Sequence, residues 1–163
     1  FLLPLLLASQ ALPIFVIAPL LVLWFGYGIT AKILTTTFML FFPVANNFLD
    51  GLKQTPENYL NLAHIMNSSR WQTLYQIRIP AALPNLASGI RIATAMAPLG
   101  AIIGEWVGSS QGLGFLLLNA NAQMQTGLMF AILAVIFFFS IFIYFLIDKL
   151  LCLGMPWTLL KSH

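Results

Sequence analysis

Few side chains in this sequence could do acid–base, nucleophilic or metal chemistry, and they are not grouped as such sites require. The 163 residues include 7 Lys and Arg, 4 Asp and Glu, 2 His and 1 Cys. No paired carboxylates, histidine cluster or activated nucleophile stand out within the apolar segments, and His163 is terminal. Cys152 alone supports neither a disulfide framework nor a metal set. There is no phosphate-binding glycine loop, so the chain is not expected to hydrolyse ATP itself. What the polar residues offer is charge and hydrogen bonding at two places. Lys53, His64, Arg70 and Arg78 fall between Asp50 and Pro84, in one polar stretch. Glu105 is the acidic residue deepest in an apolar setting, and Asn119, Asn121, Gln123 and Gln125 alternate with small or apolar residues after it.

Membrane spans must position these residues. The sequence is 60% hydrophobic and 7% charged, with a mean hydropathy of +0.93. Soluble domains carry about 25% charged residues, so the composition points to an all-α integral membrane protein. A span needs roughly 20 mostly apolar residues. Four segments are expected. Leu12 to Phe25 is short, with Pro13 and Pro19 near its start, and Thr30 to Leu49 carries Pro43, a candidate kink. Pro84 to Val107 and the uncharged Leu128 to Ile147 complete the set. Between the first two, Phe25-Gly26-Tyr27-Gly28 supplies a tight turn, because glycine tolerates positive φ. The chain opens at Phe1 inside an apolar run with no charged region before it, which reads as the interior of a longer protein rather than a signal peptide. Residues 1–163 are therefore expected to form one transmembrane domain without its N-terminal part.

Orientation follows from the basic residues. Lys53, Arg70 and Arg78 lie in the central loop, Arg91 can snorkel towards it, and Lys149 and Lys161 lie in the tail. The positive-inside rule puts loop and tail in the cytoplasm, with Lys32 as the exception. The net charge of +3 gives no reason to expect a nucleic-acid partner. In the third segment Gly89, Ala93, Ala97 and Ala101 recur every four positions, as do Gly100, Gly104 and Gly108. Such stripes let helices approach closely, either within this bundle or at a subunit or pathway interface.

The central stretch reads as two short helices. Thr55-Pro56 suggests an N-cap followed by proline at the first helical position. The helix that follows places Tyr59, Leu62, Ala63 and Met66 on one side. Asn67 falls where it should stop, and asparagine accepts the left-handed conformation. Ser69 and Gln72 have capping-box spacing and start a second helix carrying Trp71, Leu74, Tyr75 and Arg78, expected to end at Ile79-Pro80. Residues 55–80 are thus a hairpin on the cytoplasmic face.

At these residues the sequence resembles the coupling motif of ABC-importer permeases: E-A-A, three residues, G, nine residues, I-x-L-P. The matching positions are Asn61-Leu62-Ala63, Asn67 and Ile77-Arg78-Ile79-Pro80, with Asn61 in place of the glutamate, Leu62 of the first alanine, Asn67 of the glycine and Ile79 of the leucine. Leu23-Trp24-Phe25-Gly26-Tyr27-Gly28, Ser69-Arg70-Trp71-Gln72 and Pro80-Ala81-Ala82-Leu83-Pro84 resemble the nitrate/taurine/sulfonate branch of that family. Gly104-Glu105-Trp106-Val107-Gly108, Gly112-Leu113-Gly114 and the run Asn119 to Gln125 resemble permeases for hydroxymethylpyrimidine, a thiamine precursor.

The resemblance implies a type I permease fold in a bacterial inner membrane and no cofactor bound by this chain. It implies as partners a second copy of the permease, a cytoplasmic ATPase that uses ATP-Mg, and an extracytoplasmic solute-binding protein. Tyr59, Leu62, Ala63, Met66, Asn67, Ser69, Arg70, Trp71, Arg78 and Pro80 would then form the ATPase-coupling element. Arg70 and Arg78 would face acidic residues of the ATPase or anionic lipid headgroups. Glu105 either lines an outer gate, where it would accept hydrogen bonds from a solute amino group, or sits solvated or capping the next helix. Asn119 and Gln123, one turn apart, either belong to an external loop or face the pathway beside Glu105. Asn46 and Asn47 are further pathway candidates. The rival readings are a sulfonate, taurine or nitrate permease and, in another class, a secondary transporter or channel; the latter would need an internal repeat or several ionisable groups within the spans.

Overall fold

A computed structural model describes residues 13–155. Leu12, Lys161 and His163 lie outside these residues. Among them every regular element is helical: α1 (Ile14–Phe25), α2 (Ile29–Lys53), α3 (Glu57–Ile65), α4 (Arg70–Thr73), a π turn (Leu74–Arg78), α5 (Ile79–Gly108), α6 (Leu113–Ala122) and α7 (Thr126–Gly154). Three helical bodies are long and apolar enough to cross a membrane: Ile29–Lys53, Arg70–Gly108 and Thr126–Gly154. The first expected segment is present as α1, which has 12 residues.

Alternating apolar and small residues explain how these rods pack. The α2–α5 pair is the most extensive contact in the fold. It is built on glycines that leave no room for a side chain: a Cβ on Gly89 would lie 2.9 Å from Asn47 Cβ, and one on Gly104 3.2 Å from the Lys32 Cα. Gly51 meets Ala82 and Asn85 from the opposite side, and Gly108 abuts Val22 of α1. The small-residue stripes therefore serve packing within this chain. A strict four-residue repeat drifts around a helix of 3.6 residues per turn. Accordingly Gly89 and Ala93 are buried, Ala97 is half-buried and Ala101 is exposed, and the seam passes to Gly100, Gly104 and Gly108.

Gly26 provides the turn after α1 with φ 77°, whereas Gly28 is extended. α2 continues without interruption through Pro43.

The third span begins much earlier than Pro84. Helical structure runs from Arg70 to Gly108, 39 residues, so the expected break at Ile79-Pro80 does not occur. Its place is taken by the π turn, where the Ile79 N–H bonds the Leu74 carbonyl five residues back. The widened turn and the position of Pro80 near the start of α5 absorb the proline ring and its missing donor. At about 1.5 Å per residue the rod is roughly 58 Å long, against about 30 Å of hydrocarbon. The rod must therefore tilt steeply as a whole or project beyond the bilayer core by up to about half its length.

Candidate functional site

The hairpin forms as its local chemistry dictates. Asn67 has φ 55°, the left-handed conformation that reverses the chain after α3. The Ser69 hydroxyl accepts the Gln72 N–H at 3.3 Å and the Gln72 side chain accepts the Ser69 N–H at 2.9 Å, completing the capping box. The expected cap at Thr55 does not form. Pro56 occupies the N-cap position of α3, and the buried Thr55 hydroxyl instead donates to the Leu52 carbonyl at 3.1 Å, closing the end of α2.

Two faces result. On one, Tyr59, Leu62, Met66, Trp71 and Tyr75 are exposed, with Trp71 and Tyr75 stacked at 6.2 Å between ring centroids. Trp71 is 69% and Met66 69% exposed, so none of the described residues covers this apolar surface. Ala63, placed with them by sequence, turns inward and is buried. Its wall belongs to the second face, a groove of about 450 Å³ lined by His64, Ser68, Arg70, Thr73 and Arg78. Ser69 sits at the bend and Pro80 in the first turn of α5, outside both faces.

At the opposite end of α5, Glu105 is a helix cap. Its Oε2 accepts the Gly114 N–H in the first turn of α6 at 2.6 Å. The neighbouring Trp106 Nε1 donates to the Gly114 carbonyl at 3.0 Å, so both peptide groups of that glycine are held by α5. Gly112, at φ 123°, lies directly against the Glu105 carboxylate, where a Cβ would collide. The same loop receives Lys32 from α2, whose ammonium donates to Ser109 Oγ at 2.6 Å; Ser109 Oγ in turn bonds the Gln111 carbonyl. This cluster answers the exceptional position of Lys32.

The polar run after it is not a plain loop. Asn119 lies in α6 and Gln123 caps it, with Met124 at φ 55° closing the turn. Asn119 and Gln123 are exposed, and Gln123 accepts from Gln125 at 2.7 Å. They sit at the end of α6 away from Gly114, so the structure does not gather them with Glu105. Asn46 and Asn47 form a third location, a groove of about 600 Å³ shared with Phe38, Phe42 and Met96. Their amides donate to Asp50 Oδ2 at 3.3 Å and to the Pro43 carbonyl at 2.7 Å, leaving both amide oxygens as acceptors. The sequence reading missed one ionic contact: Arg91 Nε meets Asp148 Oδ1 at 2.6 Å, tying α5 to α7. Arg91 is thus paired within the bundle rather than extended towards the loop.

Comparison with known proteins gives a consistent assignment. Residues 1–151 match the family described as binding-protein-dependent transport system inner membrane component. A probable ABC transporter permease protein of Haemophilus influenzae is 54% identical over 92% of this chain and 61% of its own length. The formylaminopyrimidine transport permease protein ThiX of Halalkalibacterium halodurans is 38% identical over 94% of this chain and 62% of its own. The riboflavin transport system permease protein RibX of Chloroflexus aurantiacus is 37% identical over 94% and 58%. Permeases named for sulfonates and taurine match as well. The chain therefore spans about three fifths of the length of these first three relatives.

Proposed function

The chain belongs to the family of binding-protein-dependent transport inner membrane components, multi-pass membrane proteins with the type I ABC permease fold, and from that premise we propose that it is the permease part of an ATP-driven importer for a small pyrimidine. The observation that carries the reading is the exposed apolar surface of Tyr59, Leu62, Met66, Trp71 and Tyr75 on the hairpin, whose second helix, carrying Trp71 and Tyr75, is continuous with a membrane-crossing helix. A surface of that composition takes a protein partner or a membrane, and the continuity of its second helix with α5 favours a partner whose motion reaches the bundle. The partner is a cytoplasmic ATPase, the hairpin faces the cytoplasm, and a second permease copy completes the pathway. A solute-binding protein delivers the cargo on the other side.

Met66, exposed and one residue before the turn, is the position at which to test docking. In the full-length protein with Cys152 replaced by Ser, Met66→Cys should form a disulfide adduct with a cysteine introduced in the ATPase groove, and ATP should alter its yield. No adduct at any groove position would remove the docking assignment.

The pyrimidine reading is supported by the charge inventory of the spans. Sulfonate, taurine and nitrate carry an anionic group that calls for a free cation or a set of donors. In the described spans Arg91 is paired with Asp148, while Lys32, which donates to the neutral Ser109 hydroxyl, keeps its charge but lies at the loop after α5 and does not line the Asn46–Asn47 groove. The groove at Asn46 and Asn47 instead offers uncharged acceptors beside Phe38 and Phe42, a setting for a flat ring with amino groups. Two of the relatives carry formylaminopyrimidine and riboflavin in their names. In vesicles holding permease and ATPase together with the binding protein, hydroxymethylpyrimidine should accumulate only with ATP and be unaffected by excess taurine. Taurine uptake, or uptake without the ATPase, would reject the cargo or the machine respectively.

A further inference from the structure

The hairpin's second face has a chemistry of its own. The groove of about 450 Å³ between α3 and the segment of α4 and the π turn brings together Arg70, Arg78 and His64 with the hydroxyls of Ser68 and Thr73. No carboxylate lines it. Among the described residues the ion pairs are Lys53–Asp50 and Arg91–Asp148, so the two guanidinium groups have no anionic partner there. Glu57, the acidic residue of the same hairpin, starts α3 and lies outside the groove. The apolar face for a protein partner is separate, formed by residues of different helical phase.

We infer that this groove is an anion site that takes a phosphate group, with the phosphodiester of an anionic phospholipid as its occupant. Guanidinium forks donate paired hydrogen bonds to phosphate oxygens, and two of them can hold one phosphate from two sides. The Ser68 hydroxyl and the His64 imidazole add further donors at the same mouth, whereas the Thr73 hydroxyl already donates to the Ser69 carbonyl. A lipid source fits because the groove lies at the base of a helix that enters the membrane, where basic residues hold acidic headgroups. Bound there, a headgroup would fasten the hairpin to the bilayer surface and set its angle independently of what docks on the aromatic face.

The site can be measured without transport, so its failure would leave the permease reading untouched. Short-chain phosphatidylglycerol, phosphatidylcholine and inorganic phosphate are titrated calorimetrically into the detergent-solubilised full-length protein. The phosphatidylglycerol should bind more tightly than the zwitterionic lipid. The pair Arg70→Gln with Arg78→Gln should weaken it by about 30-fold, taking roughly 1 kcal/mol for each cation. Arg70→Lys with Arg78→Lys, which keeps the charge, should retain most of the binding and shows that the Gln pair has not simply misfolded. Equal binding of inorganic phosphate keeps the anion site but replaces its lipid source with a free anion. Equal affinity for both lipids with no phosphate binding overturns the site. So does a Gln pair that binds phosphatidylglycerol normally but no longer holds the ATPase, since the cations would then face an acidic protein surface.

Discussion

Gly112→Ala is expected to cost about 3 kcal/mol of stability, more than any other single-methyl addition in the described chain. Two penalties combine. Backbone at φ 123° and ψ 171° belongs to a region that is nearly glycine-only, and a side chain there costs about 1–3 kcal/mol. The new Cβ would also strike the Glu105 carboxylate and push it off the Gly114 N–H, removing a charge-assisted cap of about 1.5–3 kcal/mol. The contributions separate in a double-mutant cycle read by unfolding in mixed micelles. In a Glu105→Ala background the collision disappears, so Gly112→Ala should then cost only its backbone strain. Strict additivity of the two changes would show that Glu105 and Gly112 are not in contact. Two glycines calibrate the result. Gly26 also has positive φ, at 77°, but nothing lies within 4 Å of its Cβ position, so Gly26→Ala should show strain alone. Gly127 has open space and no unusual φ, and its substitution should be close to neutral.

The second large effect is at Arg91 and Asp148. The pair is 57 residues apart in sequence, meets at 2.6 Å and has side chains 33% and 35% exposed in the isolated chain. Asp148→Leu leaves an uncompensated guanidinium and should destabilise by roughly 2 kcal/mol, less than the loss of a fully buried pair because both side chains are about a third exposed. Cys152, whose Sγ lies 3.9 Å from Arg91 Nη2, is too weak an acceptor to replace the carboxylate. Replacing both partners, Arg91→Leu with Asp148→Leu, should be less damaging than either single change, because no charge is then stranded. Additive losses in the same unfolding assay would mean that the groups do not interact in the membrane.

These two sites show where reading the sequence succeeds and where it stops. The turn at Asn67 and the box between Ser69 and Gln72 were legible because each depends on residues three or four apart, within reach of backbone rules. The long apolar segments were legible because hydrophobic length is a local property. The break expected at Ile79-Pro80 was a local inference that tertiary structure overrode: a π turn widened the helix where proline would have ended it. Thr55 was likewise drawn to the preceding helix instead of the following one. The partners of Glu105, Lys32 and Arg91 are set by how α2, α5, α6 and α7 stack, and no spacing along the chain encodes that stacking. The Gly112-Leu113-Gly114 sequence held one clue, since two glycines around a helix start suggest that something approaches the backbone closely. It did not say that the approaching group was Glu105.

The uninterrupted rod from Arg70 to Gly108 also sets a scale for motion. A body of that length turns angle into distance: pivoting by about 5° at its hairpin end sweeps the Glu105 end through roughly 5 Å, given about 1.5 Å of rise per residue. That displacement exceeds the reach of the hydrogen bond from Gly114 to Glu105. Unless the loop after α5 travels with the rod, a rotation this small would uncap α6. Where the loop does travel, the bond at Gly114 would carry the tilt of the rod into the orientation of α6.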